Sequence, residues 1–106
     1  QAPACLSGEE IMSMMKDYLL GMYYTAATME ITCTPFDIRL ADRKPAVMDM
    51  YRRAGTDKAV EKWADDVMAT RMPHTPDDLR RLSGEAHQLA RIDKKFFARH
   101  HFALEA

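Results

Sequence analysis

Seven side chains in the first third of the chain, Ile11, Met15, Tyr18, Met22, Ala26, Met29 and Cys33, recur at steps of four and three. At about 100° per residue this spacing keeps all of them within one narrow arc of an α-helix, and the arc stays in phase across Gly21. Both ends are marked. Ser7, followed three positions later by Glu10, forms a capping box, with Leu6 placed to staple onto Ile11. Thr34-Pro35 closes the segment, because a proline ring drives the preceding residue toward extended backbone. One continuous helix over 8–33 is predicted, with this stripe as its core-facing side.

The rest of the chain is punctuated the same way. "KPAVMDMYRRAG" reads as a short helix over 45–54, with Pro45 in the first turn and Gly55 just past the end; "PFDIRLADR" before it is ambiguous. Thr56 is placed to cap a third helix over 57–72, in which Val60, Trp63, Ala64, Val67 and Met68 fall at helical spacing. Pro73 ends it. A fourth helix over 76–101 opens on Thr75 as cap, Pro76 in the first position and Asp77-Asp78 at the positive end of the helix dipole. Its apolar positions run through Leu79, Leu82, Ala86, Leu89 and Ile92 to Phe96 and Phe97. No segment alternates with the period of a half-buried strand. The expected fold is all-α: one small four-helix bundle-like domain, 1–106, with two long outer helices and two short middle ones.

Composition narrows the function classes. A hydrophobic fraction of 47% and a charged fraction of 29% in 106 residues describe one folded globular domain rather than a disordered chain. With 15 basic and 16 acidic residues, there is no global field to attract nucleic acid or an anionic membrane. No apolar run reaches the roughly 18–20 residues of a membrane span. The opening "QAPACLSGEE" fits a product from which a secretory signal has been cut, so a periplasmic or secreted location is expected.

The second half of the first helix is apolar almost all round. Ahead of Gly21 the back of the helix carries Ser13, Lys16 and Asp17, which should face water; beyond it the same side carries Tyr24, Ala27, Thr28 and Ile31. A helix apolar on every side is covered on more than one side, either by its own chain or by a partner. Tyr24, Ala27, Thr28 and Ile31 are therefore the candidate partner-binding residues, for another protein or for a second copy in a homodimer that shares this helix. Glu30 is the one carboxylate set in this apolar surface and is a candidate for a raised pKa.

Cys5 and Cys33 flank the same helix. A straight helix of that length holds its ends roughly 39 Å apart, whereas a disulfide needs Cα atoms within about 7 Å. Three arrangements stay open: an intramolecular bond across a sharp break at Gly21, a crosslink between chains, or two reactive thiols.

Nine methionines and four histidines raise copper as a ligand, since thioether and imidazole groups suit Cu(I). The best local cluster is Met68, Met72 and His74, although methionine also fills gaps in helical cores. Arg91, Lys94, Lys95 and Arg99 beside Phe96 and Phe97 form a cationic face that reads most simply as solvated surface. No nucleophile–base pair, glycine-rich phosphate loop or metal-spaced His and carboxylate pair is visible, and no cofactor is implied. The sequence points to a small exported helical protein that acts by binding through the second half of its first helix. The alternative is a periplasmic carrier of a small apolar ligand or a metal ion, copper being the candidate.

Overall fold

A computed structural model describes residues 7–32 and 39–99, and among them the fold is all-α: α1 (Gly8–Thr32), α2 (Arg39–Ala54), α3 (Asp57–Thr70) and α4 (Pro76–Arg99). The boundaries follow local chemistry. Ser7 and Glu10 exchange backbone-to-side-chain hydrogen bonds of 2.9 and 3.1 Å, so the capping box that starts α1 is formed. These bonds hold the Glu10 carboxyl below its ordinary pKa. The helix then runs unbroken through Gly21. Leu6, Cys5, Cys33, Thr34 and Pro35 lie outside the described residues, and so do the expected staple, stop and thiol chemistry.

α2 ends as its glycine requires. Gly55 has φ of 74°, a left-handed conformation open to a residue without Cβ. The Thr56 N–H reaches the Tyr51 carbonyl at 3.0 Å and the Gly55 N–H the Arg52 carbonyl at 3.1 Å, the paired closure of a Schellman motif. Thr56 was expected to cap α3 with its hydroxyl, but that hydroxyl donates instead to the Tyr51 carbonyl at 3.3 Å and makes no cap bond. The start of α2 also differs from expectation, since Pro45 sits inside the helix and not in its first turn. Pro45 is exposed, so its ring interrupts the helical hydrogen bonding on the solvent side.

Thr75 and Asp78 cap α4 reciprocally: the Asp78 N–H donates to the Thr75 hydroxyl at 3.1 Å, and the His74 and Thr75 N–H groups donate to Asp78 at 2.9 and 3.1 Å. The His74 backbone bond is the largest of the influences that hold Asp78 below its usual carboxylate range. α3 stops two residues short of the expected 72, where the Arg71 N–H closes onto the Val67 carbonyl at 2.7 Å.

α1 is the hub of the packing and touches each of the other three helices. α3 passes down it, from Val60 in the cluster around Tyr23 and Tyr24 to Glu61 and Asp65, which bind Lys16 at 3.3 and 3.2 Å. Lys16 thus ties α1 to α3, where the sequence suggested a side chain given wholly to water. α4 returns in the direction of α1, from Leu79 beside Tyr18 to His87 and Arg91, which reach Glu30.

Two apolar clusters form the core, and both take in Leu20, Met22 and Trp63 at their margins. One gathers Tyr23, Tyr24, Ala26 and Ala27 of α1 with Val47, Met50 and Tyr51 of α2, Val60 of α3, and Ala86 and Ala90 of α4. Tyr23, Tyr24 and Tyr51 meet edge to face, with ring centroids 5.4–5.7 Å apart, the arrangement that aromatic quadrupoles favour. The other cluster joins Leu19, Ala64, Val67 and Leu82. Burying each larger apolar side chain here contributes about 1.5–3 kcal/mol. On α4 the buried seam is Leu82, Ala86 and Ala90, and Ile92, expected on it, is 64% exposed. Two residues beyond Ala90, Ile92 is turned roughly 200° from it around the helix.

Candidate functional site

The most regular apolar stripe in the sequence faces the core only in part: Ala26 is buried in it and Met15 and Met22 pack at its margins, while Ile11 and Tyr18 lie open. α1 buries Leu19, Tyr23, Ala26 and Ala27, whereas Ile11 is 50% exposed, Tyr18 52% exposed, and Met15, Met22 and Met29 are only half-buried. The reason is geometric. In the second half of α1 the back side is taken by Val47, Met50 and Tyr51 of α2, so Tyr24, Ala27 and Thr28 become core. Toward the first half the back side is occupied by α3 through Lys16. The helices thus pack mainly beside and behind the stripe and leave Tyr18 exposed and Met22 and Met29 half-buried on its front.

That front is the floor of a groove of about 590 Å³. Tyr18, Gly21, Met22, Thr25, Ala26 and Met29 of α1 form the floor, Leu79, Arg80, Ser83 and His87 of α4 one wall, and Lys44 of α2 the other. A second groove of about 470 Å³ shares Tyr18 and Leu79 with the first and continues past Met15 to Pro73, His74, Thr75 and Pro76. The volume of the first lies within the range of small-molecule sites, roughly 300–1,000 Å³. An apolar floor with a few polar groups on its walls is also the usual composition of such sites.

The polar groups of the groove are not equivalent. Arg80 is paired with Asp77 one helical turn before it. The His87 Nδ1 lies 2.9 Å from Glu30, which also receives the Arg91 Nε at 3.4 Å. Among the described residues the Lys44 ammonium has no anionic partner, and the hydroxyls of Thr25 and Ser83 make no hydrogen bond.

Two further polar groups brace the walls. Tyr23 donates a hydrogen bond to Asp93 and lies 2.9 Å from the Tyr51 hydroxyl, linking α1, α2 and α4. Its single proton goes to the carboxylate when Asp93 is ionised, which makes Tyr23 the acceptor from Tyr51. Burial raises the pKa of all three groups, and the hydrogen bond from Tyr23 partly opposes this at Asp93. Burial likewise pushes Tyr24 up to about 12. Between α3 and α4, Glu85 accepts the Trp63 indole N–H at 3.1 Å and a forked contact from Arg71 at 2.5 and 2.7 Å. The Arg71 guanidinium is the main influence holding Glu85 below its usual range.

The residues singled out from the sequence are dispersed. Tyr24, Ala27 and Thr28 are buried within the chain and Ile31 is half-buried against the same cluster, so they do not form the exposed anchor surface expected of them. Met68 packs against the cluster of Leu19 and Val67, Met72 lines a small cavity with Arg71, Asp78, Arg81 and Leu82, and His74 lines the second groove. Met72 and His74 thus line different cavities. Among the described residues no group of three or more His, Cys, Asp or Glu side chains is placed to hold a metal ion.

Sequence reasoning did not single out Lys44, Arg80, Ser83 and His87 as site residues. Arg80, Ser83 and His87 do recur at helical spacing beside the core seam of α4, a readable signal. Lys44 carries none, because its place over the groove depends on how α2 crosses α1. Compared with known protein families, characterised proteins and solved structures, the chain matches none. No described helix is long and apolar enough to cross a membrane.

Proposed function

We propose that the protein is a carrier or receptor for an apolar small molecule, which lies along the front of α1 between α4 and the start of α2. One observation carries this reading: the best-formed apolar stripe of the chain, including Tyr18, Met22 and Met29, lines an open groove of about 590 Å³. Leaving such a surface in water forgoes burial energy of about 25 cal/mol per Å², and a ligand recovers it. Methionine suits the task, because its flexible and polarisable side chain adapts to differently shaped guests.

The test uses a neutral apolar dye, N-phenyl-1-naphthylamine. Saturable fluorescence enhancement is expected with the unmodified protein. Thr25→Trp, which fills the groove from a half-buried position without adding charge, should abolish it while circular dichroism stays helical. No saturable signal, or a signal indifferent to Thr25→Trp, rejects the reading.

A second reading has its own observation. Exposed apolar surface continues beyond the groove onto Ile11, Met12 and Met14, further than a small molecule would cover and in the manner of a protein-binding patch. On this reading a second copy packs along α1. Light scattering should then give twice the 12.1 kDa chain mass, and Tyr18→Asp should halve it. A single 12.1 kDa species at all concentrations rejects self-association.

A further inference from the structure

We infer that the groove's ligand is an amphiphile with one anionic head, a carboxylate-headed hydrocarbon in the simplest case, whose head seats at Lys44 and whose tail lies along Met22, Ala26 and Met29. The inference rests on the reading of the groove as a ligand site and adds its chemistry.

The position of Lys44 is the first support. The atom nearest to a Cβ built on Gly21 is the Lys44 Nζ, at 3.8 Å. The ammonium thus sits over Gly21 at the edge of the apolar floor. Lys44 is half-buried and has no anionic partner among the described residues. A cation in this setting faces two kinds of guest. A neutral guest covers it and takes away its water without compensation, while an anionic head replaces that water with a charge-assisted contact.

The head should be singly charged. Arg80 on the opposite wall is already paired with Asp77, and the His87 ring is in contact with Glu30, so among the described residues of the groove Lys44 is the cation without an anionic partner. The Thr25 and Ser83 hydroxyls line the groove, make no hydrogen bond among the described residues, and are available as donors to a carboxylate. The tail has its own track. From Gly21 to Met29 the floor of α1 extends roughly 12 Å at 1.5 Å per residue, enough for a medium-length alkyl chain, with Met22, Ala26 and Met29 along it.

The experiment is calorimetric titration of the full chain with decanoate, 1-decanol and decylammonium, each below its micelle or solubility limit, repeated on Lys44→Gln. Decanoate should bind about tenfold or more tightly than decanol, the ratio that one charge-assisted contact supports, and decylammonium more weakly than either. In Lys44→Gln the preference for decanoate over decanol should shrink to within about twofold, since the charge that sets it is gone. Decanol binding with no preference for decanoate, or a preference that survives Lys44→Gln, overturns the anionic head and leaves the apolar groove standing. Failure of all three probes together with the neutral dye overturns the groove reading itself.

Discussion

Tyr23 of α1 and Asp93 of α4 are hydrogen-bonded to each other inside the helix interface, with the Tyr51 hydroxyl of α2 2.9 Å from that of Tyr23. A half-buried carboxylate beside three packed tyrosine rings is an unusual choice for a small core. The hydroxyls compensate the charge in part, yet burial still raises the Asp93 pKa above its ordinary value of 3.8.

The sign of the resulting pH dependence follows from linkage. With a raised native pKa, the folded state holds the Asp93 proton more tightly than the unfolded chain does. The stability this contributes is fully present below about 3.8 and is lost as pH rises through the raised native value. Asp93→Asn keeps an acceptor for Tyr23 and removes the titration. In urea unfolding, the stability of the unmodified protein minus that of Asp93→Asn should therefore decrease from pH 3.5 to pH 7. Taking the difference cancels the opposite contributions of Glu10, Asp78 and Glu85. A constant or increasing difference would show that Asp93 is not under a burial penalty.

Gly55 gives a prediction free of packing terms. Its φ is 74°, and nothing lies within 4 Å of a Cβ added there. Gly55→Ala should lower stability by about 1–2 kcal/mol through backbone strain alone, with Gly55→Asn costing less because asparagine tolerates left-handed backbone. The midpoint of a urea transition reads both. An alanine variant as stable as the parent would mean that the α2–α3 junction relaxes to another conformation.

How far the sequence could be read is clear at particular residues. The capping box of Ser7 and Glu10, the stop at Gly55 and the start at Thr75 depend on neighbours within four positions, and each forms as local chemistry dictates. The choice of core face on α1 does not depend on neighbours. Its first half offers Ile11, Met15 and Tyr18 on one side and Leu19 and Tyr23 on another, and periodicity favours the longer stripe. Packing decides otherwise, because Ala27 of α1 and the small side chains of Ala86 and Ala90 on α4 join the core cluster with Tyr23 and Tyr24. Glu30 and His87, 57 residues apart, and Tyr23 and Asp93, 70 apart, meet only once that face is chosen. No local pattern announces either pair.

The two cysteines test the continuity of α1. From Gly8 to Thr32 the helix spans about 36 Å at 1.5 Å per residue. Cys5 is three residues before Gly8 and Cys33 is one after Thr32. Four residues reach at most about 14 Å, so an unbroken α1 predicts no disulfide between the two cysteines of one chain, which would need Cα atoms within roughly 7 Å. Under denaturing, non-reducing conditions, thiol labelling of the monomeric species should therefore find both cysteines unlinked to each other. A monomer with an intact Cys5–Cys33 bond would refute an unbroken α1.

The most direct test of the central claim, that the front of α1 is a ligand groove, is a methyl-detected NMR titration of the methionines with 1-decanol, assigned by single Met→Leu replacements. Saturable shifts are expected at Met22 and Met29, which line the groove, and none at Met50, which is buried behind α1 in the cluster of Tyr51. Shifts spread evenly over all nine methionines, or none at Met22 and Met29, would contradict that claim.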